Sequence, residues 1–257
     1  MTKFAVGQMV SVPSARLGLD LPFAMTDREV LAVKNRSVVL NEGESGTKVA
    51  SRLVTQQIHL RLIRLGDIVS ENPLLDPVTK GLDHYFRLLL KPDSFRTWWV
   101  RTLPELKAYL DQDPTPTHVI FVGHCDKSIG QMRLATGYGS PNELLGAFAP
   151  APKVFLSLAC SSGQANFGRA FSSGVGCGSL VAPFQAIHGA VAVEVGVLMF
   201  NNLFLRGESL RDAVRHVNGS LPSKVHLRLW KDGGFETPGS VAVASSSELL
   251  NKGLSVG

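Results

Sequence analysis

Two uninterrupted apolar runs dominate the hydropathy pattern. Val119-Ile120-Phe121-Val122 leads into Gly123-His124, and Val154-Phe155-Leu156-Ser157-Leu158-Ala159 leads into Cys160-Ser161-Ser162-Gly163. Runs of β-branched and aromatic residues that end in glycine or serine are the pattern of strands covered on both faces. Between them Ser140-Pro141-Asn142-Glu143 marks a helix start, with Ser140 as N-cap, Pro141 at the first helical position and Glu143 closing a capping box. Leu144, Leu145 and Phe148 supply the apolar face of that helix. Strand, crossover helix, strand predicts a parallel pair with both carboxyl ends on one edge of the sheet. Neighbouring strands lie about 4.8 Å apart, so His124 and Cys160 are expected within reach of each other. A thiol beside a base, in the crevice where open α/β sheets bind ligands, is a candidate nucleophile.

The first 57 residues have a different texture. Short runs at Val6–Val12, Glu29–Val33, Ser37–Leu40 and Lys48–Val54 are separated by Asn35, Asn41, Gly43 and Gly46. They predict a small β-barrel, and the run resembles Src-homology-3-like barrels. From Ile58 strands and helices alternate. Ile58–Leu65 reads as a strand, and Asp76-Pro77 as the start of a helix carrying Leu82, Tyr85, Phe86, Leu89 and Leu90. Thr97–Val100 reads as a second strand, and Thr102-Leu103-Pro104-Glu105 as a capping box leading a helix with Leu106, Tyr109 and Leu110. Beyond Gly163 come a Gly/Ser-rich passage from Phe171 to Ser179, a helix through Phe184 and Ile187 stopped by Gly189, and a fifth strand at Ala190–Val195. A buried helix over Val197–Leu205, a helix from Ser209 with Leu210, Ala213, Val214 and Val217, and a sixth strand at Val225–Trp230 complete the pattern. The predicted organisation is a β-barrel at 1–57, an α/β domain with a mostly parallel six-stranded sheet flanked by helices at 58–236, and a flexible tail at 237–257.

Composition narrows the function classes. A chain of 257 residues, 44% of them apolar, carries a real core and is not a disordered polypeptide. Nothing near the N-terminus resembles a basic segment followed by an apolar stretch, and no apolar run approaches the roughly 18 residues of a membrane helix, so a cytoplasmic protein without a membrane partner is expected. Three cysteines, Cys125, Cys160 and Cys177, are an odd count without framework spacing and fit a reducing compartment. No pair of cysteines or histidines has zinc-ligand spacing, so no metal and no other cofactor is expected. The charge of +5 comes from 26 basic and 21 acidic residues spread along the chain, which makes nucleic acid a weak prospect as partner.

The order of elements and the residues at the strand ends together resemble the caspase-like cysteine peptidases of clan CD, in particular the CHAT and separase-type branch. The resemblance rests on Phe121-Val122-Gly123-His124 as the His block and Leu156–Gly163 as the Ala-Cys-x-Ser-Gly block, with His124 preceding Cys160 by 36 residues. His188-Gly189-Ala190-Val191-Ala192-Val193 and Leu205–Val214 are similar to later family segments, and the likeness spans roughly residues 58 to 231. It implies peptide-bond cleavage, with Cys160 as nucleophile, His124 promoting proton transfer to the leaving amine, and backbone N–H groups at Cys125 and Cys160 holding the oxyanion. The family has glycine after its histidine, whereas Cys125 follows His124 here. The family often accepts a basic side chain through an acidic residue, for which Glu194, rising from the predicted fifth strand, and Asp126 are candidates; Ser161 joins them as a substrate contact. A protein or peptide substrate, limited cleavage in a bacterial defence or cell-death setting, and a regulatory partner bound through the barrel are the further implications.

Each signal has a plainer reading. Cysteine at the end of an apolar strand is usually core, and it is the paired histidine that favours chemistry for Cys160. His188 competes with His124, but a histidine at a predicted helix end is explained by the helix dipole. His59 and His118 read as strand-flanking surface residues, and Cys177 as a loop residue. The run Gly174–Gly178 lacks the strand and the lysine of a phosphate-binding loop. Arg96–Arg101, with two tryptophans between arginines, reads as strand rather than nucleic-acid platform. The rival functions are a catalytically silent scaffold of the same fold and a nucleic-acid-binding module using the barrel.

Overall fold

The computed structural model describes residues 4–42, 45–67, 72–222, 225–236 and 238, so the predicted tail lies outside it apart from Pro238. Residues before the α/β domain form β1 (Met9–Pro13), β2 (Met25–Lys34), β3 (Ser37–Glu42), β4 (Ser45–Ala50) and β5 (Thr55–Gln56). All four pairings are antiparallel, in the order β4-β3-β2-β1-β5. Val10, Val12, Val30, Val38, Leu40 and Val49 gather into its own small core. The five strands form one antiparallel sheet, in which, among the described residues, no pairing joins β4 to β5.

The sheet is latched to the rest of the chain. The Asp27 carboxylate accepts from Ser11 Oγ at 2.5 Å and Gln57 Nε2 at 3.0 Å and pairs with Lys91 Nζ at 2.5 Å. Ser11 Oγ also accepts from the Ile58 N–H at 3.1 Å, and the Ala24 N–H donates to the Leu88 carbonyl at 2.9 Å. Met25 and Ile58, both essentially inaccessible, belong to the core of the larger domain.

That domain runs β6 (Leu60–Leu65), α1 (Asn72–Leu89), β7 (Phe95–Val100), α2 (Leu103–Gln112), β8 (His118–Val122), β9 (Cys125–Asp126), β10 (Gln131–Leu134), β11 (Gly137–Gly139), α3 (Pro141–Gly146), β12 (Lys153–Ser157), α4 (Ala165–Ser172), β13 (Cys177–Pro183), α5 (Gly189–Phe200), α6 (Leu210–Ser220), β14 (Leu227–Lys231) and β15 (Gly234–Glu236). Its central sheet has seven strands in the order β15-β14-β13-β12-β8-β6-β7. The five from β7 to β13 pair parallel, and β14 and β15 pair antiparallel. Alternate residues feed two cores: Ile120, Val122, Leu156 and Val181 face α1, α5 and α6, while Val119, Phe121, Phe155, Leu180 and Ala182 face α2, α3 and α4. Arg61, 1% exposed, is neutralised by Asp113, whose Oδ2 lies 2.9 Å from Nε and 2.5 Å from Nη2.

Several predicted elements take another form. The fifth strand is β13, which starts at the end of the Gly/Ser-rich passage and runs on to Pro183, and Ala190–Val195 is helical, within α5. An apolar run of that length reads equally as strand or buried helix, and here close helix packing decides. A Cβ on Gly196 would lie 2.6 Å from Leu82 Cδ2, so glycine lets α5 approach α1. No helix runs through Phe184–Ile187; Gly189 opens α5, with His188 as its N-cap, instead of closing a helix. α1 starts at Asn72, before Asp76-Pro77, with Pro77 inside it. The antiparallel meander β9–β11, inserted between the two dominant strands, and the seventh strand β15 are additions to the six predicted. His118 is half-buried at the start of β8: its ring stands edge-on to Phe200 and Phe204, with centroids 6.1 and 5.1 Å away.

Candidate active site

β8 and β12 are adjacent and parallel, with Phe121 opposite Ser157. His124 and Cys160 each lie three residues beyond that pair, level at the carboxyl edge of the sheet. The ladder persists past the strands, since the Leu158 N–H donates to the Phe121 carbonyl at 2.8 Å. Both residues are half-buried.

The turn carrying Cys160 is held from within. Ser157 Oγ and Ser162 Oγ are 2.7 Å apart; the first accepts from the Ala159 N–H at 3.3 Å and the second donates to the Ala159 carbonyl at 2.7 Å. Ser161 adopts φ 59°, a left-handed backbone that costs an ordinary residue about 1 kcal/mol. Its N–H donates to the Gln185 carbonyl at 3.1 Å, so that group is committed to the protein. The Gly163 N–H donates to the Pro183 carbonyl at 2.8 Å, and a Cβ on Gly163 would sit 2.6 Å from the Ala182 oxygen. Cys160 is thus pinned between β12 and the segment following β13, and its Sγ lies 3.6 Å from the Ile187 carbonyl oxygen. Among the described residues its own N–H has no hydrogen-bond partner.

On the histidine side, the Arg133 N–H donates to the His124 carbonyl at 2.8 Å, making that the hydrogen-bonded position of the β9/β10 ladder. Pairs alternate along an antiparallel ladder, so the next one, Cys125 with Met132, is non-hydrogen-bonded and the Cys125 N–H points away from β10. Burial first, then the charges at Asp126 and Cys160, push the Cys125 thiol up to about 12. Burial and Asp232 hold the Cys177 thiol at about 12 as well, and Cys177 opens β13 at the opposite edge of the sheet. Neither thiol supplies a thiolate near neutral pH.

The remaining predicted residues are more dispersed. Asp126 is fixed by its own turn, its Oδ1 accepting from Ser128 N–H at 2.9 Å and Ser128 Oγ at 2.5 Å, which lowers its pKa. Glu194 does not rise from a strand edge: it is exposed in the second turn of α5. His188 lies one residue from the Ile187 carbonyl that meets Cys160, and its Nδ1 accepts from the Ala190 N–H at 3.2 Å. The segment Phe184–His188, expected as a helix, is instead an extended stretch that follows β13 and packs on the Cys160 turn; placing that strand is what exposes it. Among the described residues no group of three His, Cys, Asp or Glu could hold a metal ion, and no helix is long and apolar enough to cross a membrane.

No family model and no curated protein matches the sequence. Among solved structures, the chain is similar to a secreted C11 cysteine protease from Bacteroides thetaiotaomicron in complex with an irreversible peptide inhibitor, at TM-score 0.50 and 12% identity. The two share a fold. The match covers 68% of this chain and 66% of that one, so the chain spans about two thirds of the protease's length. Iotapain, described as a secreted C11 cysteine protease from the same organism, is similar at TM-score 0.46 and 9% identity, over 67% of this chain and 65% of its own.

Proposed function

We propose that the chain is a cysteine peptidase of the caspase-like kind, with Cys160 as nucleophile and His124 as its proton carrier. The observation that carries this reading is the level placement of the two residues at the carboxyl edge of adjacent parallel strands. Cys160 Sγ adds to the scissile carbonyl while its proton passes to His124. The oxyanion is held by the unpaired Cys160 N–H and the outward-pointing Cys125 N–H. The C–N bond then breaks, His124 gives the proton to the leaving amine, and a thioester remains. Water adds to the thioester, the C–S bond breaks and the thiol re-forms.

The fold shared with a C11 cysteine protease supports this assignment, as do the His and Ala-Cys-x-Ser-Gly blocks. In this reading the substrate is a protein or peptide, cleavage is limited, and the N-terminal sheet offers the surface for a regulatory partner. The CHAT and separase-type branch and the defence setting rest on the sequence resemblance. Of the two acidic residues proposed for a basic substrate side chain, Asp126 lies two residues beyond His124 and is the stronger, Glu194 having left the sheet edge for α5.

The test is covalent labelling by a thiol-directed peptide electrophile, together with turnover of a proteome-derived peptide mixture. Cys160→Ala is expected to abolish both and His124→Ala to abolish turnover, while His188→Ala only weakens it. Full turnover in Cys160→Ala would refute the reading, and loss in His188→Ala with retention in His124→Ala would reassign the base.

A further inference from the structure

Beside the Cys160 turn, Arg228 on β14 is stacked between two aromatic rings. Its guanidinium carbon lies 3.7 Å from the Phe184 ring centroid and 4.1 Å from that of Phe235. Both rings are substantially exposed, at 38% and 47%. Nη1 donates to the Gly163 carbonyl at 3.4 Å, an oxygen that also accepts from Trp230 Nε1 at 3.1 Å. The location follows from topology. β14 runs antiparallel to β13, with Arg228 opposite Ala182, so the start of β14 shares the edge where β12 and β13 end. Arg228 therefore stands two strands from the Cys160 strand, roughly 10 Å across the sheet, on the face covered by α4.

What the guanidinium lacks is an anion. Among the described residues no carboxylate lies within ion-pair distance of Arg228, and the acid of the adjoining hairpin, Glu236, is engaged by Arg211 Nη2 at 3.1 Å. Burial pulls the Arg228 pKa down with no acid to raise it. Stacking occupies both faces of the guanidinium and leaves its in-plane N–H groups as the means of recognition, one of them spent on Gly163. Planar donors held in a fixed orientation, part-desolvated and next to a candidate peptidase centre, suit a carboxylate, which binds two of them side by side. Phe184 and Phe235 flank that position as walls and would accept the methylene stem of the same side chain.

We propose that Arg228, clamped by Phe184 and Phe235, forms a substrate subsite that takes an acidic side chain, aspartate or glutamate, a few residues from the scissile bond. An extended peptide advances about 3.4 Å per residue, so the reach from Cys160 corresponds to a position two to four residues away. The inference rests on the peptidase reading of Cys160 and gives it a second specificity element, distinct from the Asp126 side.

A positional-scanning peptide library tests it. At one position, wild type is expected to cleave peptides with aspartate or glutamate at least about tenfold faster than their asparagine or glutamine counterparts. Arg228→Gln should erase that ratio, and Arg228→Lys should restore part of it. Equal rates for acid and amide at every position in wild type would overturn the subsite and leave the peptidase reading standing. A library that wild type leaves as intact as Cys160→Ala does would instead count against the peptidase reading. The subsite is then judged alone by fluorescence anisotropy, in the Cys160→Ala protein, with peptide pools fixed as glutamate or glutamine. At least about tenfold tighter binding of the glutamate pool, lost in Cys160→Ala/Arg228→Gln, supports the subsite; equal binding, or none, overturns it.

Discussion

Replacing Gly163 by alanine adds one methyl group at the point where the Cys160 turn meets β13. The new Cβ would lie 2.6 Å from the Ala182 oxygen, 2.8 Å from the Pro183 oxygen and 2.9 Å from the Pro183 carbonyl carbon, all backbone atoms of the sheet. No side chain can rotate away from such contacts, so the turn must retreat by roughly half an ångström or more, as overpacked sites do at a cost of about 1–3 kcal/mol. Retreat lengthens the 2.8 Å hydrogen bond from Gly163 N–H to the Pro183 carbonyl, a further loss of about 1 kcal/mol. The expected destabilisation is about 2–4 kcal/mol, which lowers the melting temperature of a chain this size by roughly 4–16 °C. The same retreat displaces Cys160, and a misplacement of that order reduces reaction by roughly a hundredfold. Thermal unfolding followed by circular dichroism gives the first quantity, and the rate of labelling by the peptide electrophile on still-folded protein gives the second. Gly146→Ala is the control: nothing lies within 4 Å of its Cβ, at the end of α3. If Gly163→Ala melts and labels like wild type and like Gly146→Ala, the account of a turn pinned against β13 is refuted.

The His118 ring keeps its proton off down to about pH 4 because burial against Phe200 and Phe204 disfavours the cation. An unfolded histidine protonates near 6.5, so this contribution is complete above pH 6.5 and is lost as pH falls toward 4, by about 2–3 kcal/mol. Denaturant titrations of wild type and His118→Phe across that range should diverge in pH slope, and identical slopes would contradict it. Asp113→Ala leaves the Arg61 guanidinium, with a side chain 2% exposed, without its partner and should cost about 3–5 kcal/mol in urea unfolding; a cost below 1 kcal/mol would mean that the pair is solvated. Cys177→Ala, at the far edge of the sheet, should leave electrophile labelling stoichiometry and rate unchanged, and loss of labelling would move the nucleophile.

The parts of the fold legible in the sequence are those decided by local chemistry. Ser140 and Ser209 accept from backbone N–H groups three residues on, and Glu143 returns the bond to Ser140, as their spacing predicts. Thr102 does the same toward Glu105, but the Glu105 carboxylate turns to the Arg101 N–H, so the expected box is only half formed. The strands carrying His124 and Cys160 were legible because both faces are buried and every position from Val119 to Val122 is apolar. β13 was hidden because Cys177, Gly178 and Ser179 are small, part-exposed residues, and only Leu180–Pro183 enter the core. The helical state of Ala190–Val195 depends on Gly196 meeting Leu82, 114 residues earlier in the chain (196 − 82), which no local pattern encodes. Strands as short as β9 and β11 carry too few residues for an alternation to register. The Phe184–Arg228–Phe235 stack unites three distant segments, and nothing local to any of them announces the others.

The tie at Asp27 has a practical corollary. Because Met25 is packed into the larger core and the Ile58 N–H depends on Ser11, a recombinant fragment beginning at residue 58 would start life with an uncovered apolar patch and with a charged terminus where a buried amide had been. Lys91 would lose its counter-ion in the same cut. The opening fifty-odd residues therefore act as part of the scaffold under α1, and any ligand gripping them takes hold of a helix that packs directly on α5, the element whose cap, His188, adjoins the sulfur.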